Sequence, residues 1–597
     1  MNKKLSLVLF VFLTVVVFLL GFGILSYGKE KPFQLLGYAV IPDISATMDK
    51  IEKVAGQIDP VSFKPNSLKG QVGMMLGDPA FKNFDNSKPA VAMVFSRPPV
   101  SKDGKKRKSD FGFAAFIPVK DTAPGQNTLT QMKIAVKIHE KMLVVGDHDK
   151  TINSAMENIS LYKSIEAKKL KCDARLLVKI DSIMENFKDE INELIKSLQS
   201  SSKAKEPAKA NEAINPGEQT PEDREAKENT EAIGKIVMYW LLDMAQQSVD
   251  YRLDITLTSK TILFESEHTT KTGSALNNFF QSSAAGSNKS LSHLPVEGQL
   301  AYAGSIDFAR LKDYIDSVIN GSVKREPSLK KSINQDIINV YKKYIDSFRG
   351  EIAFRYGLSE DGKLFACYSV ATGKSEEENL AAYEEFLKVY NTAMKKNIKG
   401  ISFSDYSLQR NVRKYKNISI HRYVMKGDYS QIKGQSKEVV DKLLGGELSI
   451  ELAVVNGFMV GATDKKTLDK IIDKALTKGD EIELLAMKAF GKGMDSYADF
   501  DLIGLVGKVF QLFAAPAEKD GGKTDPKMDE MQQLLKKLEK NDRNILIAGK
   551  YNKGASFGSY QIPLRMIIDG GKYFNSLKKQ PAQNQPIEGE GDEIKSE

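Results

Sequence analysis

Catalysis needs polar side chains that converge, so histidines, cysteines and closely spaced carboxylates are where a chemistry would first appear. The five histidines, His139, His148, His268, His293 and His421, include no His-Glu-x-x-His and no other close pair with metal-ligand spacing. Cys172 and Cys367 are the only cysteines, too few for a disulfide framework or a cysteine-rich zinc site, and neither has neighbours that suggest a nucleophile. A Gly-x-Ser-x-Gly elbow, a dinucleotide fingerprint and a calcium loop of alternating Asp are all absent. Asp499 and Asp501 would share a face if their stretch is extended, but the matched stretch earlier in the chain has Asp173 and Arg175. Asp173 and Asp499 are therefore expected to cap helices. No catalytic residue, cofactor-binding residue or metal ligand is assigned, no cofactor is expected, and an enzyme is the less favoured class.

One charged feature stands apart. Lys102, Lys105, Lys106, Arg107 and Lys108 form the densest basic cluster and are expected on a hairpin tip. They would suit an anionic surface, each contributing about 1 kcal/mol beside charged headgroups; the plainer role is keeping a sheet edge soluble. The net charge of +9 is small for 597 residues, and no basic stripe is interleaved with aromatics, so nucleic acid is not an expected partner.

The elements that must position these residues occur twice. Ile134–Ile159 and Ile450–Leu476 both read strand, turn, strand, Gly, Asp-Lys, helix. Asn456-Gly457 suits a tight hairpin. Gly146 and Gly461 are expected to turn the chain into the helix, with Asp149 and Asp464 as N-caps. Ile152, Ala155, Met156 and Ile159 match Leu468, Ile471, Ile472 and Ala475, one buried helical stripe in each copy. The Gly-x-x-Asp-Lys lacks the glycine density and the Lys-Ser/Thr ending of a phosphate loop.

Further pairs extend the match. Leu36–Val40 and Leu300–Ala303 open the copies as strands, followed by Asp43 and Asp307 and a helix. Strand pairs are expected at Val91–Phe95 with Phe111–Ile117, and at Ile352–Tyr356 with Leu364–Val370. Leu176, Ile180, Ile183 and Phe187 align with Leu502, Val506, Val509 and Phe513 as a helix face. Each copy ends in a strand pair and a short helix. A helix near Leu380–Tyr390 and a strand at Ile418–Val424 have no partner in the first copy.

Helices following short-turn strand pairs imply an α+β fold of two tandem related domains, each an antiparallel sheet with helices packed on one face. The first spans 33–285 with a mobile insert at 200–230; the second spans 297–577 with one at 515–525; 578–597 is a disordered tail. Ahead of them, Lys3 and Lys4 precede an uncharged run, Leu5–Tyr27, which as a helix would reach about 35 Å. That length crosses a bilayer core, so 1–28 is read as an N-terminal transmembrane helix that leaves the bulk extracytoplasmic. A cleavable signal peptide is the alternative. The repeated strand openings and the Val-Val-Gly and Met-Val-Gly steps resemble the large uncharacterised bacterial cell-envelope proteins of the domain-of-unknown-function type. That resemblance implies an anchored, duplicated α+β unit and no activity. The expected function is a non-enzymatic binding or scaffold protein of the cell envelope, partnered by the membrane and by an envelope protein or lipid. A carrier of lipid or another apolar ligand is the alternative, and a hydrolase with a site between the repeats the third.

Overall fold

The structure, a computed structural model, describes residues 33–579 apart from 98–109, 202–220, 282–288, 395–401, most of 429–446 and 510–542, and a few shorter gaps. The N-terminal run, the five basic residues at 102–108, the 515–525 insert and the tail beyond 579 lie outside the described residues. Among those described, no helix is long and apolar enough to cross a membrane.

Among the described residues there are eighteen strands. In the first half they are β1 Gln34–Ile41, β2 Ala90–Arg97, β3 Asp110–Pro118, β4 Ala135–His139, β5 Met142–Gly146, β6 Ala174–Lys179, β7 Ser248–Leu257 and β8 Thr261–Thr270. In the second half they are β9 Leu300–Ile306, β10 Phe348–Leu358, β11 Leu364–Thr372, β12 Ser402–Tyr415, β13 Ile418–Asp428, β14 Glu447–Val455, β15 Phe458–Ala462, β16 Ser496–Asp501, β17 Asn544–Asn552 and β18 Ala555–Pro563.

All pair antiparallel into one sheet, in the order β4-β5-β3-β2-β1-β6-β7-β8-β18-β17-β16-β9-β10-β11-β15-β14-β13-β12. Outward from the β8–β18 junction, β8, β7, β6, β1, β2, β3, β5 and β4 occupy the same places as β18, β17, β16, β9, β10, β11, β15 and β14. Among the described strands, β13 and β12 alone have no counterpart. The junction pairs Thr261–Thr269 with Ala555–Pro563, so two edges that would otherwise be open satisfy each other's backbone groups.

Helices reinforce this joint reciprocally. The first half's opening helix, Ile44–Ile58, packs on the closing helix Leu564–Lys579, where a Cβ on Gly571 would lie 2.8 Å from Ile58. The second half's opening helix, Phe308–Arg325, packs on Ala275–Phe279, with the Tyr314 and Phe279 rings stacked at 5.3 Å.

The expectation of two sheets, each with helices on one face, is corrected here. The sheet is continuous and helices cover both faces. On the front face, Met93, Phe116 and Val144 pack with Ile152 and Ala155 of the helix Asp149–Glu157, and Ala353 and Val460 pack with Leu468 and Ile471 of Lys465–Leu476. On the back face, Leu143 and Val145 pack with Leu76, Phe84 and Leu129. All five residues of β5 are buried, the signature of a strand covered on both sides.

Other expectations shift for local reasons. Asp464 is an N-cap, accepting from the Thr467 amide at 2.8 Å, but in the first half the cap position is His148 and Asp149 is already helical. Asp173 caps nothing: it precedes β6, accepts from the Leu257 amide at 2.6 Å and pairs with Lys50. Ala174–Lys179 and Ser496–Asp501 are strands, so the predicted helix face beginning at Leu176 holds only from Ile180 onward. The helices Lys188–Ser201 and Pro221–Gln247 enter the supposed 200–230 insert from both ends.

Candidate functional site

The polar clusters resolve into structural contacts. Asp499 accepts from the Leu485 and Ala486 amides at 2.7 and 2.8 Å, capping the helix Leu485–Phe490 from a neighbouring strand. Asp501 accepts from the Gly504 amide at 2.7 Å and faces Arg543 at 3.2 Å. The Ser248 hydroxyl lies 2.6 Å from His268 Nε2, the distance of a nucleophile and its base, but its one proton goes to the Met244 carbonyl, also at 2.6 Å. His268 therefore donates to Ser248, which is the reverse of what activation needs. His293 sits against Ser369 and the edge of Phe458, and its pKa is lowered by burial. The buried His421 accepts the Asn411 amide at Nδ1, which leaves the Nε2 proton for Glu376 at 2.8 Å. Among the described residues, no group of three or more His, Cys, Asp or Glu is arranged for a metal ion. Both cysteines are free, and burial pushes Cys172 up to about 11 and Cys367 up to about 12, so neither is an activated thiolate.

What remains is apolar. A cavity of about 310 Å³ opens between the back face of the second half and two helices above it. Ile352 and Phe354 of β10, Tyr368 and Val370 of β11 and Met459 of β15 form its floor. Phe308 and Leu311 from the helix Phe308–Arg325, with Tyr341, Tyr344 and Ile345 from Gln335–Ile345, form its roof; Phe348 closes the end. Tyr341 is 39% exposed and marks the mouth. Tyr344 stands edge-on to Phe348 at 4.9 Å and stacks against Tyr383 and Phe386 of the helix Glu376–Met394 at 5.6 and 5.3 Å. These ring contacts hold the roof at its height.

The first half supplies an internal comparison. Across its back face the register places Ala39, Ala92, Ala115 and Val145 in one row. The row in the corresponding strands is Tyr302, Phe354, Tyr368 and Gly461. Small residues in the first half let Leu129, Phe84 and Leu76 fill the space. In the second half the floor is built of rings and the space is left open.

Register also corrects the reading of the glycines. The His139–Met142 and Val455–Phe458 pairs align Val145 with Gly461 and Gly146 with Ala462, one place from the sequence match. Neither glycine has a positive φ, so neither is needed for a turn. A Cβ on Gly146 would meet Ile152 at 2.9 Å on the front face, whereas one on Gly461 would meet Tyr368 Cε1 at 2.5 Å and Cζ at 2.6 Å on the back. Gly461 is thus the seat on which the Tyr368 ring lies flat. Tyr38 and Tyr302, matched in sequence, likewise fall on opposite faces: Tyr38 pairs with Met93 of the front core, Tyr302 with Phe354 of the back.

Gly461→Val should therefore force the Tyr368 ring into the cavity. Overpacking of this kind costs about 1–3 kcal/mol, readable as a lower denaturation midpoint at an unchanged slope. An unaltered midpoint would mean that the ring has room elsewhere.

Burial raises the pKa of Tyr344, with Tyr368 and Tyr341 adding to it, and burial likewise raises Tyr368, with Tyr383 adding to it. A phenol whose folded pKa exceeds the ordinary 10.0 contributes stability that is complete below pH 10 and is lost as the pH climbs toward the folded value. Alkaline titration followed by phenolate absorbance should show these rings resisting ionisation and then ionising together with unfolding. Smooth ionisation near pH 10 in the folded protein would show that neither phenol is shielded from water.

Sequence reasoning missed this site because no single residue type announces it. The available signal was the alternation Phe348, Ile352, Phe354, Tyr356 in β10, far bulkier than Ala90, Ala92 and Val94 in β2. No family model, no curated protein and no solved structure matches this chain.

Proposed function

We propose that this chain is a non-enzymatic binding protein of the cell envelope, made of two copies of one α+β unit, whose second copy holds a small apolar ligand. The observation that carries the reading is the aromatic cavity. Its volume of about 310 Å³ lies within the range of natural ligand pockets. Apolar cavities of about 150 Å³ already stay dry and take up benzene. The duplication is supported by the matching strand order on either side of β8–β18 and by the reciprocal packing of opening and closing helices. Tethering rests on the uncharged Leu5–Tyr27 run behind Lys3 and Lys4, which would keep the binding unit beside a membrane from which apolar ligands can be drawn. Lys102, Lys105, Lys106, Arg107 and Lys108 would add attraction to anionic headgroups.

The test is mass spectrometry of organic extracts from detergent-free protein lacking the first 28 residues. An apolar molecule should co-purify or be taken up from vesicles. If none does either, the ligand reading falls and a scaffold remains.

A further inference from the structure

The lining of the cavity also limits what it can hold. None of its eleven side chains is charged. Three lysines of the two roof helices are paired with carboxylates: Lys312 with Asp346 at 2.7 Å, Lys342 with Asp316 and Lys343 with Glu385. A carboxylate or ammonium brought inside would lose its hydration without a counter-ion, a cost of several kcal/mol. The only lining residues that carry a hydroxyl are Tyr341, Tyr344 and Tyr368. Tyr368 lies flat on Gly461 and Tyr344 is wedged among Phe348, Tyr383 and Phe386, so the phenols at floor and roof are held in place before a ligand arrives. A phenol is protonated at neutral pH, so both hydroxyls are donors. Phe308, Phe348 and Phe354 offer ring faces and edges to a flat body.

Building on the apolar-ligand reading, we infer that this cavity selects uncharged, ring-bearing ligands with one acceptor oxygen, which takes a hydrogen bond from the Tyr344 or Tyr368 hydroxyl. Carboxylate and ammonium groups are excluded from its interior. The charge rule and the donor rule are separable, because one concerns what the wall lacks and the other what two phenols supply.

Three probes of nearly equal shape separate these points: naphthalene, 2-acetylnaphthalene and 2-naphthoate, titrated at pH 8 into the full chain held in amphipol. The ketone should bind at least about tenfold more tightly than the carboxylate. It should lose roughly three- to tenfold in Tyr344→Phe/Tyr368→Phe, whereas naphthalene should lose nothing. In the unaltered protein the bound ketone's carbonyl stretch should move to lower frequency, a readout that does not depend on any variant folding. Equal affinity for ketone and carboxylate would overturn the charge rule while leaving an apolar-ligand site. An unshifted carbonyl stretch would overturn the donor rule. Binding of none of the three would overturn the apolar-ligand reading itself.

Discussion

Glu451→Ala is expected to destabilise the protein by about 1.5–3 kcal/mol, the scale for losing hydrogen bonds to a charged group, because Arg422 is 40% exposed and can rehydrate. Glu451 is 6% exposed and joins three elements: Arg413 of β12 at 2.7 Å, Arg422 of β13 at 2.8 Å and its own strand β14. Arg413 reaches on to Asp469 of the helix Lys465–Leu476 at 2.7 Å. Removing the carboxylate leaves two guanidiniums at this edge, of which Arg413 alone keeps a carboxylate partner among the described residues. Burial works to raise the Glu451 pKa, and the hydrogen bonds from Arg413 and Arg422 outweigh it, holding the group below its ordinary 4.5. Its contribution is therefore present above pH 4.5 and lost as the pH falls through the lower, folded value. Denaturant melts of both proteins at pH 7 and at pH 3 should show the difference between them shrinking in acid. A constant difference would place the cause in packing instead of charge.

Ile471→Ala should cost about 2–5 kcal/mol. Ile471 is fully buried between the helix Lys465–Leu476 and the front face, and its counterpart in the first half is Ala155, also fully buried. The substitution installs the residue found at the matching place in the first half, and Ala is the better helix former, so any loss comes from packing. The cost comes from the cavity left beneath the helix, because Val460, Ala353 and Leu468 are set for the larger side chain. A loss below about 1 kcal/mol, measured by chemical denaturation, would show that the site collapses freely.

Much of the local structure could be read in advance. Asn456-Gly457 turns with positive φ at both residues, β2–β3 and β10–β11 pair as the Val91–Phe95 and Ile352–Tyr356 runs suggest, and the Leu468, Ile471, Ile472, Ala475 stripe is buried. Two things were hidden. Alternation fixes which residues share a face but not which face, so aligning Gly146 with Gly461 by identity slipped the register by one and concealed the seat of Tyr368. The joining of β8 to β18 depends on chain segments 292 residues apart at Ser266 and Gly558, a contact no local pattern encodes. The cavity arises from both, since it exists only where the back face of β9, β10, β11 and β15 meets helices that the fold brings over it.

The most direct measurement follows the labelled methyl of Met459 in the cavity floor and that of Met93, buried in the front core of the first half, during titration with naphthalene. The Met459 resonance, assigned by Met459→Leu, should move saturably under the ring current while Met93 stays fixed, and Gly461→Val should abolish the movement. A stationary Met459, or equal movement of both methyls, would contradict a ligand site in the second half.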